Sequence, residues 1–451
     1  MNKKGFTLIE LIATIVIIIL MGLIITPKVM NIIKDNRIKG YKEIERRLEE
    51  AAGKYIIENY TDSSLPFIKI EKNQLIEGKY IDEIYDLKDK SVCDAYVMVS
   101  NLNKTADFNA HLQCSSYESM LKSTIHVEDL YYDVEKRSLN GLEKTSDGNI
   151  RYTGASPKNY VKFNNEDWRI IGLFEVKTAS GKTEKLMKIV RNGTIGGYSW
   201  DSSTGNNNGA HDTGEVNDGL GVNQWGASTY TNGEAYEGAD LMRELNTLYL
   251  NQGSGNCFNG TNNAYTACNF STTGIKDTYR GMIENVVWNT AGVATHASGR
   301  IGQSSLTAYN EERGTTTGQI CKGTTYLDGA WCTDEVTRTT TWEGRVGLIY
   351  PSDYGYASTN TSCRAYINDS TNYSCKNDNW LHNNTYYWTL SPNYGSGDSL
   401  GAWLVDSNGN VHNSSARDGA GFRSSVYLKS NVSITNGDGS SSNPYQISIN
   451  S

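Results

Sequence analysis

The sequence has no excess of positive charge. Its 42 Lys and Arg stand against 50 Asp and Glu, a net charge of −8 over 451 residues, so no overall basic field exists to hold DNA or an anionic lipid surface. Nucleic acid is therefore not an expected partner. No G-x-S-x-G, H-E-x-x-H or phosphate-binding loop occurs. The His211-Asp212 pair and His296 stand alone in the sequence and read as ordinary surface residues. No catalytic residue, metal ligand or cofactor is assigned, and the chain is not expected to be an enzyme. Proline is scarce, at 6 residues. Beyond residue 60, Gly, Asn, Ser, Thr and Tyr dominate, which suits a strand-and-loop surface protein better than a helical one.

What the chain does have is a long apolar run, Phe6 to Thr26, broken by a single charge at Glu10. The run is about as long as a helix needs to cross a hydrocarbon core, where a carboxylate costs on the order of 2.5–3.5 kcal/mol. An ionisable group there points to function. No A-x-A-like cleavage pattern precedes Pro27, which disfavours a secretory signal peptide, and a plain anchor leaves Glu10 unexplained. A carboxylate near a helix start also meets the positive end of the macrodipole.

The block Lys3-Lys4-Gly5-Phe6-Thr7-Leu8-Ile9-Glu10 resembles the class III signal of type IV prepilins and pseudopilins. The resemblance implies a prepilin peptidase that cuts between Gly5 and Phe6, methylation of the new terminus, and a Glu10 that neutralises the terminus of a neighbouring pilin subunit as helices bundle. An ammonium and a carboxylate left unpaired in an apolar bundle are each costly, so a register that pairs them is favoured. The chain's own terminus, roughly 6 Å away along the helix, competes for the same carboxylate. The resemblance further implies a single-pass precursor in the inner or cytoplasmic membrane, then an extracellular pilus or cell-surface location.

Beyond Pro27, apolar residues at Val29, Ile32, Ile33, Ile38, Tyr41, Ile44, Leu48, Ala52, Tyr55 and Ile56 keep helical spacing. One helix over 6–60, kinked at Pro27, is expected, about 80 Å long at 1.5 Å per residue. Lys39, Lys42, Arg46 and Arg47 interleave with Glu43, Glu45, Glu49 and Glu50 and read as i,i+4 pairs on a solvated face.

The eight cysteines fall into near neighbours, Cys93/Cys114, Cys257/Cys268, Cys321/Cys332 and Cys363/Cys375. In an exported chain an even count suggests disulfides. Zinc competes, but structural zinc knuckles are tighter than any of these spacings. Each closed loop contributes about 2–3 kcal/mol in the loop-entropy picture. Runs at 95–102 and 108–114 read as an antiparallel hairpin with Cys93 and Cys114 at its open end.

The expected organisation is α+β: a leader at 1–5, the helix at 6–60, a small β pilin domain at 61–122 and a large loop-rich head at 125–451. In the head only Gly238 to Leu250 and Tyr279 to Asn289 read as helices. Trp388-Thr389-Leu390-Ser391-Pro392, Ala402-Trp403-Leu404-Val405 with Asn408-Gly409, Gly421-Phe422-Arg423 and Val426-Tyr427-Leu428 resemble a bacterial surface module related to the formylglycine-generating-enzyme-like branch of the C-type-lectin-like folds. That enzyme's reactive cysteine pattern is missing. Asp406, Asn408 and Asn410 alternate like calcium ligands, but Val411 and Arg417 stand where a glycine and an acid are required. The Asn-Gly pair signals a hairpin instead.

Two functional readings follow. One is a type IV pilus subunit, minor or at the tip, with an adhesin-like head that binds a surface glycan or host ligand. The other is a pseudopilin of a type II secretion or competence DNA-uptake machine. A head of about 325 residues is about 50 Å wide, while bundled helices sit 8–10 Å apart, so a low-copy position relieves crowding. Tyr386 and Tyr394 are the ligand-binding candidates. Trp388 and Trp403 compete with them but fall on strands, where large aromatics supply core area.

Overall fold

The computed structural model describes residues 8–60, 67–100, 102, 106–201, 222–230, 233, 235–258, 265–294, 301–315, 326–327, 330–331, 336–367, 375–394 and 401–449. It is mixed α+β, with 27% helix and 37% strand, and the excess of strand over helix matches the polar, aromatic-rich composition. The chain divides into two compact units, Met1–Leu121 and Lys122–Ser451.

In the first unit, helix α1 (Leu8–Asn59) runs unbroken through Pro27 for 52 residues, about 78 Å. Its docked part begins at Tyr41. From there Tyr41, Leu48, Ala51 and Ala52 are buried, Tyr41 lying seven residues before Leu48 and the two alanines three and four residues after it, the spacing that puts side chains on one helix face. They pack against Ile68 and Ile70 of β1 (Phe67–Glu71), Ala95, Val97 and Val99 of β2 (Asp94–Ser100) and Leu112 of β3 (Asp107–Gln113). The sheet is antiparallel in the order β1-β2-β3. Its last β2–β3 pair, Asp94 opposite Gln113, sits beside the Cys93–Cys114 disulfide, whose Cα atoms are 4.4 Å apart.

Two of the helix glutamates depart from the solvated reading. Glu45 is nearly buried and accepts hydrogen bonds at 2.6 Å from both the Tyr117 and Ser119 hydroxyls, while Glu49 accepts the Ala110 N–H of edge strand β3 at 3.1 Å. Arg46 does pair with Glu43 and Glu50 on the open face. The charges on this helix therefore serve two different surroundings.

Among the described residues no helix is long and apolar enough to cross a membrane. A crossing needs roughly 20 predominantly apolar residues; charged side chains recur along α1 from Lys34 to Glu58, and before Val29 only the side chains of Ile12 and Ile15 are described. The expectation of a single-pass membrane precursor, and the localisation drawn from it, is corrected accordingly.

The second unit is built on two large sheets. A seven-stranded sheet runs Val346–Gly347, Ser425–Leu428, Thr183–Arg191, Glu166–Lys177, Ile150–Tyr152, Leu142–Lys144, with Tyr160–Phe163 also paired to Glu166–Lys177. Its central strand buries Trp168, Ile170, Ile171, Leu173 and Phe174, a continuous run that fits a strand covered on both faces. A six-stranded sheet runs Ile195–Ser199, Gly419–Phe422, Tyr387–Tyr394, Gly401–Val405, Val411–Ser415, with Val293–Ala294 parallel to Tyr387–Tyr394. One segment, Gly419 to Leu428, supplies a strand to each sheet. Between those strands Arg423 is buried, donating to the Arg191 carbonyl at 2.9 Å and the Leu381 carbonyl at 2.7 Å.

Helix Asp240–Glu244 continues as a π-helical turn, Leu245–Tyr249, within the expected 238–250. The expected helix at 279–289 is not formed. Only Asp277–Arg280 is helical there, and Val286–Asn289 pairs with Thr341–Gly344; the β-branched and aromatic run Val286-Val287-Trp288 suits a strand. Helices Ser123–Tyr132, Val134–Asn140, Ser305–Glu312 and Pro351–Tyr356 were not expected.

Candidate functional site

Two exposed features and one buried one stand out. The first lies on α1. Val29, Met30, Ile32, Ile33 and Ile38 are all exposed, Met30 at 64% and Ile32 at 58%, upstream of the docked part of the same helix. These apolar residues at helical spacing find no cover within their own unit. Gly5 and Phe6 lie outside the described residues, and Glu10 is on α1 with its side chain outside them.

The second feature is the turn before strand Tyr387–Tyr394. Asn383 donates to Thr194 Oγ1 at 2.6 Å, Thr194 and Thr385 hydroxyls share a 2.8 Å hydrogen bond, and Thr385 donates to Asn383 Oδ1 at 2.8 Å. His382 Nε2 and Asn384 Oδ1 are 3.0 Å apart. The Tyr386 carbonyl accepts the Gly421 N–H at 2.9 Å, which fixes its backbone to the sheet, while its side chain is 48% exposed. The result is an aromatic side chain open to solvent on a fixed backbone, one residue after the hydroxyl and amide groups of Asn383 to Thr385. The Tyr394 side chain lies outside the described residues.

Trp388 and Trp403 are fully buried, with their indole N–H groups donating to the Tyr198 carbonyl at 2.9 Å and the Val293 carbonyl at 3.0 Å. They are core, not ligand surface. Asp406 is occupied by its own hairpin: Oδ1 accepts the Asn408 and Asn410 N–H groups and Oδ2 the Asn410 amide, all within 2.9 Å. Gly409 takes φ +85° there, the left-handed conformation that glycine adopts without steric cost. Cys257–Cys268 and Cys363–Cys375 are disulfides, while Cys321, Cys332, His211, Asp212 and His296 lie outside the described residues. Among the described residues no cluster of His, Cys, Asp or Glu could hold a metal ion.

The buried feature is ionic and gave no signal in sequence, because its members come from distant segments. Asp353 accepts from Arg151 Nη1 on Oδ1 and from Lys188 Nζ on Oδ2, both at 2.6 Å, and from the Tyr350 N–H on Oδ2 at 3.0 Å. Arg151 also pairs with Asp147 at 2.7 Å. All four charged side chains are at most 1% exposed. Burial alone pushes the Asp353 carboxyl up, but Lys188 and Arg151 outweigh it and hold it well below the usual range. Burial pushes the Lys188 ammonium down to about 8 despite Asp353.

Alongside, Glu312 accepts the Ser352 N–H at 2.8 Å and hydroxyl at 2.5 Å and pairs with Arg313 at 3.0 Å. Burial pushes its carboxyl up to about 7.

No known protein family, no curated protein and no solved structure matches the chain. The functional reading therefore rests on the residues and on this geometry.

Proposed function

We propose that the chain is a filament subunit of the type IV pilin kind, minor or at the tip, that assembles through α1 and carries a recognition domain in Lys122–Ser451. The observation that carries this reading is the exposed apolar stretch Val29 to Ile38, upstream of a helix segment docked on a three-stranded antiparallel sheet. The block Lys3 to Glu10 supports it from sequence. Burying a Met or Ile side chain that is otherwise exposed is worth about 1.5–3 kcal/mol, so five such positions give a neighbouring helix ample reason to pack there.

In this reading the first unit is pilin-like and the second C-type-lectin-like, and a prepilin peptidase releases residues 1–5. Glu10 pairs with a subunit terminus inside the bundle. The turn Asn383–Tyr386 is the recognition surface, and its ligand is a saccharide, whose apolar ring face suits Tyr386 and whose hydroxyls suit Asn383, Thr385 and Thr194.

The test is made on filaments sheared from producing cells. Mass spectrometry should find the chain starting at a methylated Phe6, and Ile33→Cys should crosslink to neighbouring subunits under oxidation. Glu10→Ala should be cleaved normally yet enter filaments poorly. Absence of the chain from sheared filaments, or a start at any other residue, refutes the assembly reading. Glycan arrays probed with the protein and with Tyr386→Ala test recognition separately: equal binding by the two removes Tyr386 from the role.

A further inference from the structure

Lys188 and Asp353 are set up for more than an ion pair. Lys188 projects from strand Thr183–Arg191 and Asp353 from helix Pro351–Tyr356, 165 residues apart in sequence, yet Nζ and Oδ2 are 2.6 Å apart with both side chains fully buried. Aromatic rings surround the amine: Tyr350 at 4.2 Å, Trp288 at 5.3 Å, Tyr427 at 5.6 Å and Phe174 at 5.8 Å from Nζ to centroid. The other carboxylate oxygen, Oδ1, faces the Arg151 guanidinium at 2.6 Å.

We infer that Lys188 and Asp353 condense to an intramolecular isopeptide bond that joins the seven-stranded sheet to the helix. The step balances within the pair. The shared proton passes from Nζ to Oδ2, giving a neutral amine and a neutral carboxylic acid. Nζ attacks Cγ, and the charge that develops on Oδ1 meets the Arg151 guanidinium, placed as a donor for that oxyanion. A second proton passes from Nζ to Oδ2, the Cγ–Oδ2 bond breaks, and Oδ2 leaves as water while the carbonyl at Oδ1 re-forms. One C–N bond is made, one C–O bond is broken, nothing is oxidised or reduced, and no co-reactant is needed.

Three features favour the product. A buried ion pair bears the desolvation cost of two charges, and the amide removes both. The charge balance survives, because Arg151 keeps Asp147 at 2.7 Å. Burial that lowers the affinity of Lys188 for its proton raises its amine fraction. Against speed stands Arg151, which also favours the ionised form of Asp353 in the resting state, so the reactive tautomer is a minor one and the step is slow. It has to happen only once in the life of each molecule.

The experiment is peptide mapping of the purified, fully reduced full chain, aged for days at neutral pH. The expected result is no tryptic cleavage after Lys188, with the Lys188 peptide joined to the Asp353 peptide at a combined mass lower by one water. Asp353→Asn should give the same linked product by loss of ammonia, and Lys188→Met should give none. A free Asp353 peptide together with normal cleavage after Lys188 in the aged wild-type protein overturns the inference, whether or not the variants fold.

Discussion

Replacing Glu45 by Ala should loosen α1 from its sheet, whereas the same change two positions earlier should not. Glu45 accepts two hydroxyl hydrogen bonds at 2.6 Å, and the Ser119 hydroxyl that gives one of them itself accepts the Leu112 N–H of β3 at 2.8 Å. Each hydrogen bond to a charged group contributes about 1.5–3 kcal/mol, and the two share one acceptor, so their joint loss costs about 3 kcal/mol. Lys42 adds little, being largely exposed. At about 1.4 kcal/mol per tenfold, amide protection along Asp107–Gln113 should fall roughly 100-fold in Glu45→Ala. Glu43→Ala removes only an exposed pairing with Arg46 and should leave that protection as it is. Hydrogen exchange read by mass spectrometry on the full chain makes the comparison. Every tryptophan lies in Lys122–Ser451, so indole fluorescence reports the other unit and serves as the control. Equal protection in Glu45→Ala and Glu43→Ala would refute the assignment of Glu45 to docking.

Glu312 should make the stability of the second unit fall as pH rises. Its carboxyl sits at about 7 when folded against about 4.3 unfolded, so its contribution is fully present below about 4.3 and lost as pH climbs to 7, about 4 kcal/mol in all; chemical denaturation across that window should show Glu312→Gln flattened relative to wild type. Arg423→Met leaves the Arg191 and Leu381 carbonyls short of a charged donor and should cost about 3 kcal/mol, seen as an earlier midpoint in tryptophan fluorescence. Asp406→Ala should cost roughly 2 kcal/mol by releasing the turn N–H groups, and calcium should not change the wild-type melting temperature, because a calcium-dependent shift would mean Asp406 serves a metal rather than its own hairpin.

What could be read in the sequence was what is local. The hairpin that ends in Cys93–Cys114 and the Asn408-Gly409 turn are set by residues within one or two dozen positions of each other, and periodicity or turn chemistry reports them directly. Trp388 and Trp403 were ambiguous between ligand surface and core until the sheet closed over them. Glu45 and Glu49 read as solvated because helical spacing shows which residues share a face but not what that face meets. Val286-Val287-Trp288 went to a strand because Thr341–Gly344 was there to pair with it. The Arg151, Lys188 and Asp353 cluster was invisible, since 202 residues separate Arg151 from the carboxylate it binds and no short motif spans such a gap.

The segment Gly419 to Leu428 governs the order in which the second unit can form. Ser425–Leu428 lies between Val346–Gly347 and Thr183–Arg191, and Gly419–Phe422 lies between Ile195–Ser199 and Tyr387–Tyr394. Neither large sheet is continuous until this late stretch of chain is in place, so during synthesis more than two hundred residues emerge before the strand that joins them exists. Long-range pairing of this kind folds slowly and leaves strand edges open in the meantime. A nascent chain stalled before Gly419 therefore leaves Val346–Gly347 and Ile195–Ser199 without their sheet partners and lacks the clamp from Arg423, which exposes it to chaperones and proteases.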